Sequence, residues 1–179
     1  MIIRLAEGEL RTRFGTFNQV LYYDGRKESI ALVMGEVTGR DNVLCRVHSQ
    51  CINGHVFNSI ECDCREQMEA SQRLIEKAGS GVIIWLDQEG KGNGHLALLK
   101  SRELKQQGLS QAEAYMRLGY PADSRSYVPA AEILRDLGVR SIILLTNNPE
   151  RAQQLQDDGL VIAGLRALTH SQQPHGSIG

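Results

Sequence analysis

The chain has 179 residues, 41% of them hydrophobic, and a formal net charge of −1. That length suits one domain with a sizeable core, and so small a charge gives no general field to draw in nucleic acid or an anionic membrane. The longest apolar runs, such as GVIIWL, are too short to span a bilayer, and the opening MIIRLAEGELRTRFG has charges where a secretory signal needs its apolar stretch. The expectation is a cytoplasmic protein with neither a membrane nor a nucleic-acid partner.

The first fifty residues read as strands. GTFNQVLYYDGRKESIALVMGEV, residues 15–37, holds two β-rich runs around Asp24-Gly25, a hairpin signal. NVLCRVHSQ, 42–50, is a third run. After Cys64 the period changes: Met68, Ser71, Leu74, Ile75 and Ala78 recur at helical spacing until Gly79 and Gly81. GVIIWL then reads as a buried strand and 96–107 as a helix, and Ser110-Gln111-Ala112-Glu113 matches a capping box that opens another. VPAAEILRDLG is a helix stopped by Gly138, and SIILLT is a buried strand. In NNPERAQQLQDDG, Asn148 is the expected N-cap, with Pro149 at the first helical position. LVIAGL is a last short strand, and 168–179 is expected to be a flexible polar tail. The fold class is therefore α+β (mixed α/β). An N-terminal antiparallel β-rich part is followed by alternating strands and helices, in a single domain over 1–167.

Three of the four cysteines fall in CINGHVFNSIECDC, spaced C-x10-C-x-C as Cys51, Cys62 and Cys64. In a reducing compartment such a cluster favours metal binding or catalysis over disulfides, and zinc is the common partner of soft thiolates. Structural zinc is closed by four protein ligands, whereas catalytic zinc takes three and leaves one position to water, whose pKa falls to about 7. His48 or His55 could close the set as a structural knot, and three unrelated buried thiols are the third reading. Cys45, six residues earlier in a strand, is not obviously near.

Four further stretches are dense in polar groups. RVHSQ brings Arg46, His48, Ser49 and Gln50 to a strand end beside the cysteines. DQEGKGNG, 87–94, is glycine-rich and holds Lys91. PADSRSY sets Asp123 and Arg125 two apart, and TNNPER joins a strand to a helix start. Turns from strand to helix are common ligand sites, and free N–H groups at a helix start attract anions. Lys91, Thr146 and Arg151 suit phosphate oxygens. EGKGNG is not a Walker loop. Taken singly, each stretch has a plain alternative: a solvated turn, a surface ion pair or a hydrogen-bonded strand histidine.

Together, RVHSQC, CDCREQ, QEGKGNG, LGYPADSRSY and LLTNNPERAQQL resemble the GTP cyclohydrolase II family, in that family's order, from about residue 1 to about 167. The resemblance implies a zinc-dependent enzyme that opens the imidazole ring of GTP at the start of riboflavin synthesis, releasing formate and pyrophosphate. It implies one catalytic Zn2+ per chain on Cys51, Cys62 and Cys64, with water as the fourth ligand and attack at C8 of the purine. Arg46, Val47, His48, Ser49 and Gln50 would lie along the substrate, and Gln67 would contact the base. Glu89, Gly90 and Lys91 would belong to the nucleotide site, with Gln111 near its phosphate-binding end. Thr146 and Arg151 would sit near the phosphates. Arg125 would act as nucleophile towards the α-phosphorus and Asp123 as its proton acceptor, with Mg2+ on the phosphates. A homodimer is also implied.

The chain departs from the family pattern at several places. Gln50 stands where the family has glutamate, His55 where it has aspartate, and Arg65 where it has glycine. Lys91 replaces an arginine, Gln111 a hydroxylated residue, and Arg102 a catalytic tyrosine. These changes cluster around the substrate while the scaffold persists. Two alternatives follow. One is a paralogue acting on another nucleotide or heterocyclic base, or stopping at the ring-opened formamide. The other is a non-enzymatic, structural-zinc nucleotide-sensing module.

Overall fold

The computed structural model describes residues 1–168. Seven strands form one sheet: β1 (Ile3–Thr12), β2 (Gly15–Tyr23), β3 (Glu28–Met34), β4 (Val43–Ser49), β5 (Gly81–Leu86), β6 (Ile142–Leu145) and β7 (Ile162–Arg166), in the spatial order β1-β2-β3-β5-β4-β6-β7. The first three strands and β5 pair antiparallel, while β5, β4, β6 and β7 run parallel. The antiparallel half and the α/β half expected from the sequence thus share one sheet. The β2–β3 hairpin closes through Asp24, whose Oδ1 accepts from the N–H groups of Arg26 and Lys27, both at 2.8 Å.

Side-chain alternation along the strands feeds two cores. Val82, Ile84 and Leu86 face a large cluster with Tyr22, Val47, Ile142 and Leu144, covered by α5 (Val128–Asp136) and α6 (Glu150–Asp157). Ile83 faces the other side with Phe17, Leu145, Ala70 and Ile75, the last two on α2 (Cys64–Ala78). A sheet covered on both faces explains why GVIIWL reads as a continuous apolar run rather than an alternating one. Among the described residues no helix is long and apolar enough to cross a membrane.

Several boundaries differ from the sequence expectation. α3 spans Gly94–Gln106 and so starts two residues before 96. α4 (Gln111–Arg117) opens on the expected capping box: Ser110 Oγ accepts from Glu113 N at 3.3 Å, and Glu113 Oε2 from Ser110 N at 2.8 Å. α6 begins one residue later than expected, with Pro149 rather than Asn148 at the N-cap. The Thr146 hydroxyl explains the shift. It accepts from Asn148 N (3.0 Å) and donates to Asn148 O (3.2 Å), which spends this residue on a turn before the helix. The last strand is 162–166, not 160–165. A four-residue helix, α1 (Ile52–His55), was not foreseen. Of the tail expected over 168–179, Leu168 is buried and exchanges two hydrogen bonds with Asn147; 169–179 lie outside the described residues.

Candidate metal centre and active site

Parallel pairing of β4 with β5 aligns His48 with Trp85 and Ser49 with Leu86. Both strands therefore end together, delivering Cys51 from one and the 87–94 loop from the other. Cys51 caps α1, its Sγ accepting from Gly54 N at 3.4 Å. Cys64 opens α2. The Sγ atoms of Cys51, Cys62 and Cys64 lie within 4.8 Å of one another, and Cys51 and Cys62 are 3.6 Å apart. Two sulfurs at about 2.3 Å from a tetrahedral centre stand about 3.8 Å apart, so the set fits a thiolate-ligated metal. No other His, Cys, Asp or Glu joins the group among the described residues. Cys45 is in the core, its thiol pushed up to about 12 by burial.

His48 and His55, the two candidates for closing the set, face each other instead, Nε2 to Nε2 at 3.2 Å. His48 Nδ1 accepts from Arg46 Nε at 3.4 Å, and His55 Nε2 lies 3.2 Å from both His48 Nε2 and the carbonyl oxygen of Cys64. Burial, and then the charge of Arg46, holds His48 neutral with a pKa lowered to about 2. Arg46 is itself buried. Its Nη1 donates to Leu145 O at 2.9 Å and its Nη2 to Gln67 Oε1, while Gln67 Nε2 donates to Asp63 Oδ1 at 2.8 Å. Four residues expected at the site, or beside it, thus form one chain from β4 to the cysteine loop.

The 87–94 loop holds two other pieces in place. Glu89, buried, accepts from Ile52 N at 2.8 Å and so anchors the start of α1. Lys91, at a left-handed φ of 54°, accepts from Ser124 N through its carbonyl at 2.9 Å. Gly92 lies against the 121–127 loop, where a Cβ would stand 2.7 Å from Ser124 C and O. Asn93 adds bonds to Pro121 O (2.8 Å) and from Ser124 Oγ (2.7 Å). This loop carries the expected pair. Arg125 Nε donates to Asp123 Oδ1 at 2.9 Å, and its Nη2 to Oδ2. Burial opposes the charge on Asp123, but Arg125 outweighs it and holds the carboxyl below its usual value; the same partner keeps Arg125 cationic.

The remaining expected residues vary in placement. Thr146 is buried at the end of β6, its hydroxyl occupied by the turn. Arg151 lies on α6 with its Nε buried and without a partner among the described residues, and burial lowers its pKa. The charge of Arg151 bears on Arg46, and that of Arg125 on Arg151. Ser49 Oγ is buried and has no partner among the described residues, and Gln50 N donates to Leu86 O at 2.9 Å. Val47 points into the core. Gln111 Nε2 donates to Ser101 Oγ at 2.7 Å, tying α4 to α3. Arg102 pairs with Glu61, beside Cys62, at 3.7 Å. Sequence reasoning missed Tyr115 and Tyr127. Both are fully buried, their hydroxyls have no partner among the described residues, and both bear electrostatically on Arg125.

The family model for GTP cyclohydrolase II matches residues 3–167. The chain belongs to the GTP cyclohydrolase II family. It is 45% identical over 158 residues to the riboflavin biosynthesis protein RibBA of Bacillus mycoides (strain KBAB4), covering 87% of this chain and 40% of that protein. The RibBA of Bacillus cytotoxicus (strain DSM 22905 / CIP 110041 / 391-98 / NVH 391-98) is 44% identical over 157 residues, with the same coverage. The chain thus spans about 40% of the length of the curated relatives it matches. In fold it is similar to RibBX, a two-domain 3,4-dihydroxy-2-butanone 4-phosphate synthase from A. baumannii. The TM-score is 0.54 at 22% identity, over 93% of this chain and 40% of that one. The stretches that resemble the family meet in one region: the end of β4, the cysteine loop, the 87–94 loop that holds it through Glu89, and the 121–127 loop that the 87–94 loop holds in turn.

Proposed function

We propose that this chain is a zinc-dependent GTP cyclohydrolase II that opens the imidazole ring of GTP and releases formate and pyrophosphate. It would work in the cytoplasm as a homodimer, with Mg2+ on the substrate phosphates. One observation carries the reading: hydrogen bonds join a three-thiol cradle to Arg46 through Gln67 and Asp63, and to the loop of the Asp123–Arg125 pair through Glu89 and Lys91. Thiolates suit a zinc ion, and the arginines suit a polyphosphate.

When bound on Cys51, Cys62 and Cys64, zinc supplies Lewis acidity that makes water reactive at neutral pH. The chain's own residues do the rest. Arg46 and Gln67 align the strand end with the cysteine loop, and His48 stays neutral and holds His55. Arg151 and Lys91 bind phosphate oxygens. A guanidinium nitrogen of Arg125 attacks the α-phosphorus. As the P–N bond forms, the P–O bond to pyrophosphate breaks and Asp123, already hydrogen-bonded to the guanidinium, takes the proton.

A second reading is favoured by Arg102, which stands at the family's tyrosine and pairs with Glu61: hydrolysis stops at the ring-opened formamide. One experiment separates them. Zinc-loaded protein is incubated with GTP and Mg2+, and formate, pyrophosphate and nucleotide products are followed by mass spectrometry. Formate and pyrophosphate together support the full reaction, and a formamide product supports the second. No turnover of GTP, while another purine nucleotide reacts, refutes the substrate assignment.

A further inference from the structure

α1 is a single turn, and isolated helices shorter than about 12–15 residues do not persist in water. Yet the metal cradle depends on where it sits. Cys51 is its N-cap, and Gly54 is wedged among the thiols: a Cβ there would stand 2.9 Å from Cys62 Sγ, 3.2 Å from Cys64 Cβ and 3.4 Å from Cys51 Sγ. Any drift of this turn moves Cys51 and opens the sulfur triangle.

Two charged side chains hold its ends. Glu89 takes the Ile52 N–H at the start. At the other end, Gly54 O and His55 O are among the carbonyls a helix leaves without partners of its own. Arg65 reaches both, Nε to Gly54 O at 3.2 Å and Nη2 to His55 O. Each charge has the sign that the helix dipole favours at its end. Arg65 also follows Cys64 directly in the chain. One side chain therefore fastens the Cys51 turn to the Cys64 end of the loop, across the intervening residues 56–63. The fork of the guanidinium allows two carbonyls to be held at once, which a lysine ammonium cannot match.

We propose that Arg65 is a positioning residue for the metal centre: its grip on the Gly54 and His55 carbonyls holds the Cys51 and Cys64 sulfurs at coordination spacing before the metal arrives. The proposal rests on the reading of the three cysteines as a metal site. Arg65 lies in a groove of about 250 Å³ that also contains Arg13, which pairs with Glu69 at 3.4 Å. Arg13 is thus a cation in the same place with no hold on α1.

The test is metal affinity. Full-length apoprotein is titrated with Co2+, read by thiolate charge-transfer absorbance, and Zn2+ affinity is measured by competition with a chromophoric chelator. The parent should bind one metal through three thiolates. Arg65→Ala should weaken the Kd by about 10–100-fold. Its absorbance per bound Co2+ at saturation and its far-UV spectrum should stay unchanged. Arg65→Lys should fall between the two, and Arg13→Ala should match the parent. A Kd for Arg65→Ala within about two-fold of the parent's overturns the proposal, well short of the loss expected from removing an outer-shell partner. If the alanine variant does not fold, Arg65→Lys decides, and a parent-like Kd again overturns it. A parent that binds no metal fails the metal reading itself, a result distinct from a parent that binds and a variant that binds equally well.

Discussion

Replacing Gly92 with alanine tests whether the glycine loop sets the position of the Asp123–Arg125 pair. Gly92 has φ +83° and Gly94 has φ +87°, and a left-handed conformation costs an L-residue about 1–2 kcal/mol at either position. Their surroundings differ. At Gly94 a Cβ meets nothing within 4 Å, whereas at Gly92 it meets Ser124 C and O at 2.7 Å and Arg125 N at 3.0 Å. All three are backbone atoms, so no side chain can swing aside. Restoring an ordinary 3.4 Å contact means moving the 121–127 loop by 3.4 − 2.7 = 0.7 Å. Three hydrogen bonds resist that shift: to Lys91 O, to Pro121 O and between Ser124 and Asn93. Overpacking of this kind costs about 1–3 kcal/mol more. Gly94→Ala should therefore lose about 1–2 kcal/mol and Gly92→Ala about 2–5 kcal/mol in urea unfolding. A misplacement near 1 Å at reacting groups can cost about 10²-fold in rate, so Gly92→Ala should also lose most pyrophosphate release from GTP while Gly94→Ala retains it. Equal destabilisation of the two variants, within about 0.5 kcal/mol, or equal rates, would refute the reasoning.

Three other changes have defined outcomes. Arg46→Ala removes the donors to Leu145 O, Gln67 Oε1 and His48 Nδ1, and should lower unfolding free energy by about 2–4 kcal/mol in urea. Asp136 accepts from Tyr22 OH at 2.7 Å and from Arg4 at 2.7 and 3.0 Å; burial pushes its pKa up, but these partners hold it below its ordinary 3.8. Its contribution is therefore present above the unfolded carboxylate value and lost as pH falls through the depressed folded one. Asp136→Asn should lower the Tm near neutral pH, with the gap closing as pH falls below the ordinary carboxylate range. Arg102→Tyr breaks only an exposed ion pair to Glu61, so stability should move by less than about 1 kcal/mol. Formate relative to ring-opened formamide should rise, and an unchanged ratio argues against a role for Arg102 in the extent of reaction.

What the sequence could display depended on range. The parallel half of the sheet and its helices were legible because periodicity and caps are local: Ser110 and Glu113 meet three residues apart, and GVIIWL needs no partner to look buried. The three thiols were legible because C-x10-C-x-C is itself close in sequence. α1 was not, because one turn has no periodicity and is held from outside, by Glu89 and Arg65. The start of α6 was misplaced because the Thr146 hydroxyl, not a propensity, decides how Asn148 is used. Arg65 and Arg102 stood out as departures from the family, but their partners, the α1 carbonyls and Glu61, are read only from the fold. Val47 shows the limit of carrying roles along a motif, since strand alternation sends its side chain into the core between Arg46 and His48.

The buried polar atoms without protein partners bear on what the site receives. Among the described residues they include Ser49 Oγ, Gln88 Oε1, Tyr115 OH, Tyr127 OH and Arg151 Nε. All five stand on the strand end, loops or helices that frame the cysteine cradle and the Asp123–Arg125 pair. Each costs about 1–3 kcal/mol if left unmatched, and folded proteins rarely tolerate such groups outside functional sites. An apolar ligand would leave that cost in place and add the desolvation of three arginines. This polar capacity is consistent with the charged, hydrogen-bonding substrate of the proposed function. A nucleotide polyphosphate has both properties in one molecule.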